Sequence, residues 1–95
     1  MKHAGKDALD ALEPLLGSLR VLPGLREKSR GTFYVKSRAF LHFHEDPAGL
    51  FADIRDADGL DFERLDVTSE GGRARLVALA RERLMALPTR DPGGR

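Results

Sequence analysis

The chain has 95 residues and a net charge of +1, enough for one small hydrophobic core. It contains no cysteine, which excludes a disulfide framework, a thiolate metal site and a cysteine nucleophile. No stretch approaches the roughly 20 apolar residues that span a bilayer, and the opening MKHAGKDALD has no apolar signal core, so a soluble, unexported, cytoplasmic protein is expected.

Near the start, Ala8, Leu9, Leu12, Leu16 and Leu19 recur at three- and four-residue steps, the stripe of an amphipathic helix. Asp7 is the expected cap, and Asp10 adds negative charge near the positive helix end. Pro14 lacks an amide donor and crowds the preceding turn, so a kink or restart is expected at Glu13. Pro23-Gly24 then ends the segment by turn chemistry.

From Thr32 the period changes to two, which is strand patterning. Phe33, Val35, Ala39, Leu41 and Phe43 take one parity; Tyr34, Lys36, Arg38, Phe40, His42 and His44 take the other. Residues 36–38, KSR, are read as a three-residue hairpin loop, which opposes Val35 to Ala39 and Phe33 to Leu41. A loop at 45–48 then opposes Phe43 to Leu50, Leu41 to Ala52 and His42 to Phe51. After the turn-rich DADGLD comes a fourth strand, FERLDVT, with Leu65 and Val67 inward.

A closing helix is capped by Ser69 or Thr68 and carries Leu76, Leu79, Ala80, Leu84 and Leu87 as its stripe. Gly71 and Gly72 weaken its first turn, so its regular part is expected near Arg73. Residues 88–95, PTRDPGGR, are read as a disordered tail behind a single domain of residues 1–87. The expected fold class is α+β in two layers: helix, four-stranded antiparallel meander, helix, with both helices on one face of the sheet.

The face left over displays Tyr34, Phe40, His42, His44, Phe51, Asp53, Arg55, Phe62, Arg64 and Asp66. Exposed aromatics in one patch commonly mark a contact site, so the expected function is a non-enzymatic binding or self-association module. Its partner is a protein or a second copy, with Phe40, His42, Phe51 and Phe62 as apolar anchors. Asp53, Arg55, Arg64 and Asp66 are expected to pair across strands.

His42 and His44 stand at i and i+2 on one face, about 6 to 7 Å apart, close enough for two imidazoles to reach one metal. Two ligands fall short of a site, and Glu45, Asp46 and Asp53 stand at no diagnostic spacing, so neither a metal nor another cofactor is expected, and a metal or small-ligand site at His42 and His44 stands as a further alternative function. Without a metal, His42 stacks on Phe51, and the acidic turn at Glu45 and Asp46 favours protonated His44. There is no Gly-x-Ser-x-Gly elbow, no phosphate-cradling glycine loop and no His-Glu-x-x-His helix, and nothing places Ser29 or Ser37 beside a base.

Charge is segregated along the chain. Residues 20–38 hold six basic side chains against Glu27 alone, whereas residues 45–70 hold nine acids against Arg55 and Arg64. A basic hairpin region of Arg26, Lys28, Arg30, Lys36 and Arg38, with Tyr34 available to stack, is the alternative nucleic-acid surface.

LPGLRE at 22–27 followed by TFYVKSRAFLHF at 32–43 resembles the leucine-proline-glycine turn and Phe-x-Val hairpin of small bacterial MmcQ/YjbR-like proteins. HFHED with GLFADI is similar to the His-x-His and following strand of the so-called luciferase domain of bacterial proteins. The resemblance covers residues 20–55. It implies a structural role for the turn and hairpin, and the DNA binding suggested for the first family points to Lys36 and Arg38.

Overall fold

A computed structural model describes residues 1–87; the expected tail at 88–95 lies outside the described residues. The described chain is α+β, with an antiparallel sheet of six strands and three helices. In chain order these are β1 (Lys2–His3), α1 (Lys6–Ala11), α2 (Glu13–Arg20), β2 (Arg26–Ser29), β3 (Thr32–Val35), β4 (Arg38–Asp46), β5 (Gly49–Arg55), β6 (Phe62–Asp66) and α3 (Glu70–Ala86). Among the described residues no helix is long and apolar enough to cross a membrane.

The first helical stretch divides where proline demands it. Leu12 ends α1 and caps α2, and Pro14 falls in the first turn of α2, where its missing amide has no intrahelical acceptor to lose. Gly5, rather than Asp7, is the N-cap of α1; the Glu45 carboxylate accepts from the Gly5 amide at 2.6 Å. At the other end of the chain the Ser69 hydroxyl accepts from the Gly72 amide at 3.2 Å, so α3 begins at Glu70 and its first turn survives both glycines.

Strands β2 to β6 form a meander in the order β2-β3-β4-β5-β6, and β1 pairs separately with β4. The expected four strands thus gain β1 and β2. Neither has an apolar alternation to announce it: β1 has two residues and β2 reads REKS. The β3–β4 loop has two residues, Lys36 and Ser37, instead of three, because Val35 pairs with Arg38. The odd residue is absorbed later. Tyr34 pairs with Ala39 and Phe33 with Leu41, leaving Phe40 as a bulge.

The bulge corrects one expectation about the outer face. Phe40 and Leu41 are both buried, at 3% and 0% exposure, and both belong to the core, so Phe40 is no anchor on the open surface. Beyond the bulge the parity holds. Leu41 faces Ile54, His42 faces Asp53, Phe43 faces Ala52 and His44 faces Phe51, a register two residues from the expected one. A two-residue shift changes partners without changing faces.

One cluster forms the core: Leu12, Leu15, Leu16 and Leu19 from the first helices, Leu76 and Ala80 from α3, and Phe33, Leu41, Phe43, Ala52, Ile54 and Leu65 from the strands. Leu79 and Leu84 are partly buried against it, while Leu87, the last expected member of the α3 stripe, is exposed. The His42 and His44 side chains leave β4 on the opposite face from Leu41 and Phe43.

The β4–β5 turn fixes this register. Asp46 pairs with Gly49 around Pro47-Ala48, and the Asp46 carboxylate accepts from the Ala48 amide at 3.0 Å. Gly49 has φ 146°, and a Cβ there would collide with the Thr68 hydroxyl. Gly49→Ala is therefore expected to destabilise the fold by about 1 to 3 kcal/mol in urea denaturation. A change of only a few tenths would show that the turn does not set the register.

Candidate functional site

The open face of the sheet brings together three histidines, one more than spacing alone identified. In the β1–β4 ladder His3 stands directly opposite His44, and His42 follows two residues along the same face of β4. The His3 and His44 rings are stacked with centroids 4.7 Å apart; His42 lies 5.1 Å from His44 and 5.9 Å from His3. One ligand nitrogen from each ring lies within 4.8 Å of the others. His3 is exposed, and His42 and His44 are half-buried.

Both partly buried rings carry nitrogens without a partner among the described residues. Among the described residues, His42 Nδ1, His44 Nδ1 and His44 Nε2 are shielded from solvent and find no hydrogen-bond partner. The His44 Nε2 stands 3.3 Å from Asp53 Oδ2, close enough to be an ion pair when protonated but out of line for a hydrogen bond.

Burial holds both His42 and His44 below the ordinary histidine range, with the Asp53 carboxylate opposing it. This corrects the expectation of a protonated His44. Glu45 pairs with Lys2 and caps the Gly5 amide, and the acid that reaches His44 is Asp53.

Asp53 is itself buried at 7% exposure on the face where strand parity predicts exposure. Arg64, its register partner on β6, holds it with Nε to Oδ1 at 2.7 Å and Nη2 to Oδ2 at 2.8 Å. That two-pronged contact, more than any other influence, draws the Asp53 carboxyl below its usual range.

The expected cross-strand pairing therefore holds for Asp53 with Arg64. Arg55 instead donates to the Ala39 carbonyl at 2.7 and 3.1 Å and lies 4.2 Å over the Phe62 ring. Phe62, 38% exposed, packs edge-on to His42 at 4.8 Å. Phe51 is half-buried and opposes His44, so the expected stack of His42 on Phe51 is replaced by His42 against Phe62.

Some of the cations of the alternative nucleic-acid surface are engaged by other groups of the chain. Arg30 is held by Asp10 at 2.8 Å and Glu13 at 2.7 Å, on the side of the first helices. Arg38 donates to the Gly59 carbonyl, and Lys28 sits 4.5 Å over the Tyr34 ring. Arg26 and Lys36 are exposed and form no ion pair among the described residues.

His3 escaped the sequence reading because a two-residue strand has no period to detect. The available signal was indirect: a strand as long as FLHFHED, flanked by a shorter one, leaves edge groups that another segment must satisfy. Comparison with family models, curated proteins and solved structures found no match.

Arg64→Met should lower the denaturation midpoint at pH 7, because it leaves a buried carboxylate without its partner. Since Asp53 titrates below its usual value in the fold, the pair's contribution is present above the ordinary carboxylate range and fades as pH falls through the lowered value. Denaturation of both proteins across pH 7 to pH 2 should show the two midpoints converging in acid; a constant gap would contradict the pairing.

Proposed function

We propose that the protein is a metal-binding domain holding one divalent transition-metal ion on His3, His42 and His44. The observation that supports this is the convergence of three imidazoles whose shielded nitrogens lack partners among the described residues. A buried polar atom without a hydrogen bond is costly, and coordination satisfies it. A tetrahedral zinc with bonds of about 2.0 to 2.1 Å separates its nitrogens by about 3.3 Å, so a spread of 4.8 Å closes with modest side-chain rotation.

The electrostatics agree with that chemistry. Metal binds neutral imidazole, and burial favours the neutral form of His42 and His44. Three nitrogen donors without a thiolate suit zinc, cobalt, nickel or copper, whereas calcium and magnesium take oxygen ligands. Three histidines leave a four-coordinate ion one further position, which a water molecule or a donor from a bound ligand would fill.

Untagged protein stripped of metal and titrated with cobalt or zinc should take up one ion per chain. At a free concentration a hundredfold above Kd the ion should add about 2.7 kcal/mol of stability. His3→Ala should weaken binding at least tenfold, as should His42→Ala, with circular dichroism unchanged in both. No uptake by the wild-type chain would overturn the reading.

Exposed Phe62 favours a second reading, self-association through the same face, with half-buried Phe51 and Arg55 beside it. It expects a light-scattering mass above that of the monomer, reduced by Phe62→Asp without loss of secondary structure. A monomer in both proteins at high concentration would dispose of it.

A further inference from the structure

Asp53 raises a question that its ion pair does not answer. Arg64 is an exposed side chain, yet the carboxylate it holds is buried beside the imidazole cluster. Its register position is directly opposite His42, and its Oδ2 stands 3.3 Å from His44 Nε2.

We infer that Asp53 is a positioning residue for the metal centre: through Oδ2 it holds the proton on His44 Nε2 and thereby leaves Nδ1 to bind the ion. This inference rests on the reading of the histidine cluster as a metal site. An imidazole offers a metal one lone pair while its other nitrogen carries the proton, and the nitrogen facing a carboxylate is the one that keeps it. For His44 that nitrogen is Nε2.

Two features assign Asp53 this indirect role in place of direct coordination. Asp53 does not belong to the set of mutually close ligand atoms formed by the three histidines. Both of its oxygens are already engaged by the Arg64 guanidinium, at 2.7 and 2.8 Å. Two parallel contacts fix the plane of the carboxylate as well as its place, so Oδ2 keeps a constant direction toward His44. Arg64 thus holds Asp53, Asp53 orients His44, and His44 presents Nδ1. The 3.3 Å separation is long for a hydrogen bond, so the role requires a ring rotation that brings Nε2–H into line with Oδ2.

The test needs no variant at its first step. In zinc-loaded wild-type protein, long-range proton–nitrogen NMR correlations of His44 should show the proton on Nε2 and the metal on Nδ1; the opposite tautomer overturns the inference. Asp53→Asn should then weaken zinc binding about 10- to 100-fold, while the visible spectrum of the cobalt form keeps the same coordination number. Unchanged affinity would overturn the positioning role, and a spectrum that loses a ligand would overturn it in favour of direct coordination. If the wild-type chain bound no zinc at all, the metal reading itself would fall, which is a distinct result.

Discussion

A strand inside a sheet must find partners for its backbone groups along both edges, and β4 is where this requirement shapes the molecule most. Its nine residues are served on one edge by β5, from Leu41 to Asp46. On the other edge no single strand suffices. β3 covers Arg38 to Leu41, β1 covers His44 and Glu45, and the Ala4 amide reaches the Phe43 carbonyl at 3.1 Å. The sharing of that edge places His3 beside the two histidines of β4.

Alternation along β4 was the most legible part of the chain, and the reason is geometric. A pleated strand commits each side chain to a face regardless of which residue lies opposite, so an error of two residues in the turn left His42 and His44 on the open side. Their partners did change: Asp53 and Phe51 oppose His42 and His44. The parity failed on the turn side of the bulge: the inserted residue sends Phe40 to the core beside Leu41, and Ala39 and Arg38 stand opposite Tyr34 and Val35, the reverse of the expected faces. Such an insertion depends on how a two-residue turn competes with a three-residue one, and Lys36 at φ 57° gives no sign of that in its residue type.

The charge segregation visible along the chain is offset in space at two of its basic side chains. Arg20 contacts Glu13 at 2.6 Å and also pairs with Glu27, while Arg30 is shared between Asp10 and Glu13. These contacts join the first two helices to β2 and the turn that follows it, and they neutralise two of the basic side chains that made residues 20–38 look like an anion-binding surface. Linear spacing shows where charges lie in the chain, but not that α1 and α2 fold their acids back onto the segment that follows. Being solvent-exposed, the contacts contribute modestly to stability and weaken with salt.

The shortness of β1 has a thermodynamic consequence. Only Lys2 and His3 pair with β4, aided by the Ala4 and Gly5 amides, so little holds this strip down when nothing bridges its imidazole to the neighbouring pair. If the histidines hold an ion as proposed, docking of the strip and capture of that ion become a single equilibrium. On the proposed metal reading, any looseness of the strip would lower the apparent affinity in proportion to the time it spends detached, and a bound ion would in turn tie His3 to His42 and His44.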